Sequence, residues 1–77
     1  MRIKITYSSI LKIDDIDSGD SVEIDEGTSV SELLTKCNII ESHQTFLQIY
    51  VNGRHERLQY IIQNKDIIDL ILPLGGG

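Results

Sequence analysis

The chain of 77 residues is long enough for one small domain and too short for a second hydrophobic core. Its hydrophobic fraction of 40% and charged fraction of 25% are ordinary for a soluble globular domain. The net charge of −5 argues against nucleic acid and favours a protein partner with a basic docking surface, because nucleic-acid binding depends on Lys and Arg that neutralise phosphates.

Cysteine usage and hydropathy predict the cellular compartment. A single cysteine excludes a disulfide framework and a cysteine-based zinc site. No apolar run approaches the length that spans a bilayer, and the N-terminus lacks a signal-peptide pattern. We therefore expect a cytoplasmic protein that does not associate with a membrane.

The first third of the chain predicts two strands joined by a long loop. MRIKITY, at the N-terminus, alternates apolar and polar side chains, which is typical of a half-buried strand. Residues 8–19 are rich in turn formers. DSVEIDEG, residues 20–27, predicts a second strand that ends at a glycine. The side chains predicted to face the core are Ile3, Ile5, Tyr7, Val22 and Ile24.

TSVSELLTKCN, residues 28–38, is the clearest helix signal. Ser29 is a good N-cap, and Glu32 three residues later completes a capping box. Asn38 can end the helix, because asparagine tolerates the left-handed conformation of a C-terminal cap. The spacing i, i+3, i+4 and i+7 predicts one apolar face, made by Val30, Leu33, Leu34 and Cys37.

The middle of the chain predicts a hairpin. IIESHQT, residues 39–45, is interpreted as a polar connection after two apolar residues. FLQIYVNG, residues 46–53, predicts a third strand, and its Asn-Gly end is the strongest short hairpin signal. A fourth strand should therefore follow, roughly from Arg54 to Leu58. In the third strand, Leu47, Ile49 and Val51 should face one side and Phe46, Gln48 and Tyr50 the other.

The last predicted strand is preceded by an ambiguous stretch. QYIIQNK, residues 59–65, fits a turn or a short 3₁₀ segment that Ile61 or Ile62 anchors. DIIDLIL, residues 66–72, predicts the strand, and Pro73 ends its pairing because proline donates no backbone hydrogen bond. Ile68, Leu70 and Leu72 should alternate in this strand with Ile67, Asp69 and Ile71.

The predicted order of elements is β-β-α-β-β-β, and one helix can cover only one face of such a sheet. We therefore predict an α+β fold of the β-grasp (ubiquitin-like) type, a four- to five-stranded mixed sheet with one main helix packed on one face. Residues 1–72 should form the β-grasp domain, and residues 73–77 a flexible C-terminal glycine tail.

Three short motifs carry a resemblance to a known family. V-N-G at residues 51–53, N-K-D at residues 64–66 and P-L-G-G-G at residues 73–77 resemble the C-terminal half of the ubiquitin-like sulfur carriers. That family includes the molybdopterin synthase small subunit and the thiamine-biosynthesis sulfur carrier. Two departures stand out: a third terminal glycine, and Asn64 where a Gly-Asp turn is usual, although asparagine tolerates the left-handed conformation. The long first hairpin is more similar to the molybdopterin synthase subunit.

The resemblance implies a carrier rather than an enzyme. In this family a ubiquitin-activating-type adenylyltransferase uses ATP to adenylate the C-terminal glycine carboxylate, which becomes a thiocarboxylate. A sulfur-accepting synthase subunit of the molybdopterin or thiamine type is the second implied partner. Gly77 would carry the sulfur directly, or Gly76 after Gly77 is trimmed. The carrier would be a monomer when free and would bind no cofactor of its own, since ATP binds to the partner.

Two other functions fit the same residues. The chain could be a ubiquitin-like modifier that is joined to target proteins through its C-terminal glycine, or a β-grasp binding module with an inert tail. Terminal glycines by themselves are also typical of a frayed end or of an expression remnant.

The predicted outer face of the sheet indicates a docking surface. Phe46, Tyr50, Ile67 and Ile71 should be exposed there, beside Arg2 and Lys4. An apolar patch with aromatic anchors and a polar rim is typical of protein interfaces. The alternatives are that the long first loop or a crystal neighbour covers it. The tail residues Pro73, Leu74 and Gly75 should bind the same partner.

The remaining candidate residues favour structural roles. Cys37 lies on the apolar helix face, so we expect a core residue rather than a nucleophile. His43 and His55 lack partner ligands at metal spacing, so we expect no metal site. No glycine-rich phosphate loop occurs. The acidic stretch of Asp14, Asp15, Asp17 and Asp20 lacks calcium-loop spacing and is interpreted as a solvated loop.

Overall fold

Within residues 1–8, 11, 13 and 15–73, which the computed structural model describes, the chain forms five strands and two short helices. The predicted order β-β-α-β-β-β is confirmed, with one helix added after the first. None of the helices in these residues is long and apolar enough to cross a membrane. The elements are β1 (Arg2–Tyr7), β2 (Asp20–Glu23), α1 (Val30–Lys36), α2 (Glu41–Gln44), β3 (Gln48–Val51), β4 (Arg54–Glu56) and β5 (Ile67–Ile71).

The sheet is mixed and has the strand order β2-β1-β5-β3-β4. Strands β1 and β5 are parallel, and the other three pairs are antiparallel. The register places Ile5 beside Ile68 and Ile49 beside Leu70, so four buried side chains meet on one face. Helix α1 covers that face with Val30, Leu33 and Leu34, which belong to the same buried cluster. The predicted two-layer α+β architecture is therefore confirmed.

Helix α1 begins and ends as its sequence predicts. The Ser29 hydroxyl accepts the Glu32 backbone N–H at 3.1 Å, and the Glu32 carboxylate accepts the Ser29 N–H at 3.2 Å. Asn38 follows the helix with φ of +65°, the left-handed conformation that closes a helix C-terminus. These contacts satisfy backbone groups that a helix of seven residues would otherwise leave to water.

The interpretation of residues 39–45 as a polar connection is wrong in one respect, because residues 41–44 form α2. Its anchor is Gln44, whose side chain is only 1% exposed. The Gln44 amide donates to Thr35 Oγ1 at 3.0 Å and to the Ile39 carbonyl at 2.8 Å, and it accepts from Ser31 Oγ at 2.7 Å. A buried amide with all these partners costs little, whereas an unpaired one would be expensive. The hydrogen bonds thus fix α2 against α1.

The predicted Asn-Gly hairpin is confirmed. Asn52 and Gly53 have φ values of +53° and +84°, which is the type I′ turn that suits twisted antiparallel strands. Strand β4 ends at Glu56, two residues earlier than expected. In the ambiguous stretch that follows, Ile62 is the buried anchor, while the Ile61 side chain is 46% exposed.

The turn before β5, which the sequence left possible without the usual glycine, is present. Its left-handed residue is Lys65, with φ of +70°, and not Asn64. Both residues are bound to β1: the Asn64 side-chain oxygen accepts the Arg2 N–H at 3.0 Å, and the Lys65 N–H donates to the Arg2 carbonyl at 2.8 Å. With both residues held to Arg2 in this way, Lys65 is the residue that takes the left-handed conformation.

Replacing Lys65 by glycine should stabilise the domain. A residue with a Cβ loses roughly 1–2 kcal/mol in the left-handed region, and glycine returns part of that through its greater unfolded-state entropy, so we expect a net gain of about 0.5–1 kcal/mol. The measurement is the urea midpoint at unchanged m value. Lys36→Gly is the matched control: it places glycine in α1 and should lower stability by about 1 kcal/mol. A fall in the midpoint of Lys65→Gly would contradict the prediction.

Candidate functional site

The C-terminal end of β5 is fixed at the centre of the sheet. On one side Leu70 pairs with Tyr7 of β1, and on the other Ile71 pairs with Gln48 of β3. Pro73 comes two residues after the last of these pairs and cannot donate to a further one. The chain therefore leaves the sheet from a defined point, with neighbours on both sides. Four of the predicted site residues, Leu74, Gly75, Gly76 and Gly77, lie outside the described residues and stay predictions.

Two isoleucines of β5 are exposed on the outer face of the sheet, as predicted. The Ile67 side chain is 45% exposed and that of Ile71 is 38% exposed. Between them Asp69 is half-buried and accepts a hydrogen bond from Thr6 Oγ1 at 2.9 Å. This carboxylate divides the apolar patch, so the surface is less uniformly apolar than the sequence suggested.

Tyr50 lies on the same face but is less available than predicted. Its ring is half-buried and lies 5.3 Å from the imidazole of His55, centroid to centroid, at an angle of 57°. The two residues are directly opposite each other in the β3–β4 hairpin. Cross-strand pairs of this kind stabilise a hairpin, so Tyr50 has a structural role beside any role in docking.

Phe46 is not on that face, which corrects the predicted patch of four. The residue precedes β3, and its N–H donates to the His43 carbonyl at 3.1 Å, so the backbone turns there and the alternation of β3 does not extend to it. Its side chain is 66% exposed and lines a groove of about 350 Å³. We call this the Phe46 groove; its lining residues are Leu11, Asn38, Ile39, His43, Phe46, Leu47 and Leu72.

The start of β5 is held by a buried carboxylate that the sequence analysis did not single out. Asp66 is 5% exposed and accepts from Asn52 Nδ2 at 2.8 Å, from the Tyr60 hydroxyl at 2.9 Å and from the Gln63 N–H at 2.8 Å. Burial, together with the hydrogen bond to Asp66, raises the pKa of Tyr60, so its hydroxyl stays a donor. These contacts join the β3–β4 turn and the connection between β4 and β5 at one carboxylate.

Asn52 connects the same carboxylate to the backbone of β5. Its side-chain oxygen accepts the Ile67 N–H at 2.9 Å while its amide nitrogen donates to Asp66. The V-N-G turn and the N-K-D turn are therefore one hydrogen-bonded unit rather than two independent turns. Both motifs are recognisable in the sequence. The same family resemblance includes both of them, and this is the sequence signal that could have indicated their contact.

Comparison with known proteins adds the family. The model of the ThiS family matches residues 12–77. The chain belongs to the ThiS family. The recognition drawn from residues 51–53, 64–66 and 73–77 is confirmed, and the family is one of small carriers and subunits without catalysis of their own.

Solved structures similar to this ThiS-family chain confirm the β-grasp fold. SAMP1 from Haloferax volcanii aligns over 100% of both chains with a TM-score of 0.72 and 13% sequence identity. A Pyrococcus furiosus protein assigned as molybdopterin converting factor, subunit 1, aligns over 95% of this chain and 98% of its own, with a TM-score of 0.69 and 18% identity. No curated protein gives a significant match.

Burial and exposure indicate structural or solvated roles for the remaining candidate residues of the ThiS-family chain that the structure describes. Cys37 is buried, as predicted, and burial raises the pKa of its thiol, so little thiolate forms near neutral pH. Asp15, Asp17 and Asp20 are exposed, and the Asp20 carboxylate accepts the Asp17 N–H; Asp14 lies outside the described residues. No group of three or more His, Cys, Asp or Glu within the described ranges could hold a metal ion.

Proposed function

We propose that this chain is a sulfur carrier whose C-terminal glycine carboxylate becomes a thiocarboxylate. The observation that carries the proposal is the match to the ThiS family over residues 12–77, which includes the glycine tail. The fixed end of β5 supports it, because a rigid body gives the tail a defined origin. In this proposal residues 1–72 are the β-grasp domain and residues 73–77 are the delivery arm.

The chemistry needs two steps at one carboxylate. A carboxylate oxygen of the terminal glycine, which is Gly77 or, after trimming, Gly76, attacks the α-phosphorus of ATP, pyrophosphate leaves, and an acyl-adenylate forms. A hydrosulfide ion then attacks the carbonyl carbon, the bond to AMP breaks, and the products are AMP and a thiocarboxylic acid, which loses its proton to give the thiocarboxylate. The activation is necessary because a free carboxylate is a poor acyl donor. The carrier supplies neither base nor metal to these steps; an adenylyltransferase of the ubiquitin-activating type supplies the ATP site.

In this proposal the chain supplies a C-terminal arm that is long and narrow. From Leu72 to Gly77 a fully extended chain spans roughly 20 Å at about 3.3 Å per residue. Glycine lacks a Cβ, so a channel too narrow for other residues admits it. An acceptor that receives the sulfur, in the manner of a synthase subunit, would bind the same arm. The fold shared with the Pyrococcus furiosus protein assigned as molybdopterin converting factor, subunit 1, supports an acceptor of this kind.

Intact-mass spectrometry tests the proposal. The chain is incubated with ATP, a ubiquitin-activating-type adenylyltransferase and sulfide, and a carrier should gain the mass difference between sulfur and oxygen. Omitting ATP is the control, since no acyl-adenylate can form without it. If lysate instead yields covalent conjugates to other proteins and no thiocarboxylate, the chain is a ubiquitin-like modifier. If neither product forms, the tail is inert and the proposal fails.

The outer face of β5 should contribute to the partner complex, so we expect Ile71→Asp to weaken it. A charge in place of an exposed interface side chain removes apolar contact and adds a desolvation cost, which corresponds to about tenfold in Kd. Calorimetric titration of the adenylyltransferase with the variant and with the unchanged chain measures the two Kd values.

Ile61→Asp is the matched control for Ile71→Asp, because the Ile61 side chain is similarly exposed but lies away from β5, in a bridge to Ser29. It should leave Kd unchanged. Equal weakening by both variants would contradict a specific role for the β5 face. Loss of the folded circular-dichroism spectrum in Ile71→Asp would show that Ile71 is a core residue.

A further inference from the structure

The Phe46 groove is an exposed apolar surface that the proposed chemistry does not use. Leu11, Ile39, Leu47 and Leu72 give it apolar walls, and Asn38 and His43 add polar groups. Phe46 is its most exposed apolar side chain, at 66%. Adjacent apolar side chains that are left exposed are a feature of binding surfaces.

The groove lies where the chain leaves the sheet. Leu72 lines it and is also the residue directly after β5. Ile68 and Leu70 face the core, so Leu72 continues their side of the strand. Pro73 has its φ fixed near −65°, and Leu74 is separated from Leu72, which lines the groove, by this one residue.

The composition of the tail singles out the same residue. Of residues 74–77 only Leu74 has a side chain beyond hydrogen, since the other three are glycines. A groove with leucine, isoleucine and phenylalanine walls suits an aliphatic side chain. If Leu74 occupies it, three glycines remain beyond the seat, with a reach of roughly 10 Å.

We propose that the Phe46 groove is the seat of the chain's own Leu74 in the free protein. The seat fixes the first residue of the tail beside Leu72 and leaves Gly75, Gly76 and Gly77 as the free part of the arm. A partner that binds the tail in a channel then has to displace Leu74 from the groove, or bind only the three glycines that follow it. The seat belongs to the free chain and does not depend on the sulfur chemistry.

Nuclear magnetic resonance of the full chain tests the seat without any partner. Phe46 is the one phenylalanine in the sequence, so its ring protons can be labelled selectively, and Leu74→Ala identifies the Leu74 methyl signals. We expect nuclear Overhauser contacts between the Phe46 ring and the Leu74 methyls, and methyl shifts moved upfield by the ring. Phe46→Ala should return the Leu74 methyls to the shifts of an unfolded leucine, while Ile61→Ala should leave them in place.

Each other occupant of the groove gives a distinct result. Contacts that fade on dilution would identify a second copy of the chain and overturn the proposal. Leu74 methyls at unfolded shifts with no contact to Phe46 would also overturn it; in that case, contacts to Phe46 that appear only with the adenylyltransferase would assign the groove to the partner. If Phe46→Ala does not fold, the Leu74→Ala variant, in which the groove is intact, is compared with the full chain. A Phe46 ring spectrum that is the same in both would overturn the proposal.

Discussion

A chain that lacks Gly76 and Gly77 should form no detectable thiocarboxylate with ATP, the adenylyltransferase and sulfide. The body of the domain ends before the tail, because β5 stops at Ile71 and Pro73 leaves the sheet. Deleting two residues shortens the arm by roughly 7 Å. Misplacement of a reacting group by 1 Å can already cost about 100-fold in rate, so the carboxylate of the truncated chain should be out of reach. Intact-mass spectrometry measures the product.

The control for the truncation is deletion of Gly77 alone. If Gly76 is the working residue after trimming, this shorter chain should react without prior processing. If Gly77 is used directly, it should lose most of its product. Both chains should unfold at the same urea concentration as the full chain, since the deletions begin five residues or more after Ile71, where β5 ends. Full thiocarboxylate yield from the chain without both glycines would exclude the tail as the sulfur site.

Asp66→Ala should strongly destabilise the domain. The substitution removes the acceptor of Asn52, Tyr60 and Gln63 together. Hydrogen bonds to a charged group contribute roughly 1.5–3 kcal/mol each, and the donors can partly regain water, so we expect a loss of about 3 kcal/mol. This is a large fraction of the stability of a small domain. The measurement is the free energy of unfolding from urea titration at fixed pH.

Asp69→Ala is the matched control for Asp66→Ala. Asp69 lies three residues further along the chain, in β5, is half-buried and accepts one hydrogen bond in the structure, from Thr6. The loss there should be about 1.5 kcal/mol, the lower end of the range for one hydrogen bond to a charged group, because water can reach the half-buried site. Equal losses in the two variants would contradict the role of Asp66 as the point where the β3–β4 turn meets the β4–β5 connection. A change in m value in either variant would show that the native or unfolded ensemble has changed instead.

Elements with complete local signals could be predicted from the sequence. Helix α1 has its capping box, its apolar face and its terminal asparagine within ten residues, and each was found as predicted. The Asn52-Gly53 turn is equally local, because its conformation requires positive φ at both residues. Strands β1, β3 and β5 show alternation long enough to give the correct inward face. The family could be recognised from short motifs, because the resemblance depends on the order of these motifs in the sequence and not on the contacts that they make in the fold.

Elements whose conformation depends on distant partners could not be predicted in the same way. Helix α2 has four residues, too few for a periodic pattern, and its place depends on Gln44 bonds to residues up to 13 positions away. Phe46 follows the alternation of β3 in sequence, but the turn after α2 moves it to another surface. A one-residue irregularity at the start of a strand is enough to change which face a side chain occupies.

By itself, the sequence determined the class of the fold, the core faces of its helix and main strands, and the family, since each depends on local periodicity or on a short motif. The tertiary structure alone decided which face carries each site residue. It separated Phe46 from Ile67 and Ile71, gave the left-handed conformation to Lys65 rather than Asn64, and joined Asn52 to Asp66. The reason is that the Asn52–Asp66 contact and the bonds of Asn64 and Lys65 to Arg2 join segments far apart in the chain, while the turn at Phe46 interrupts the alternation at a point that the apolar pattern does not mark.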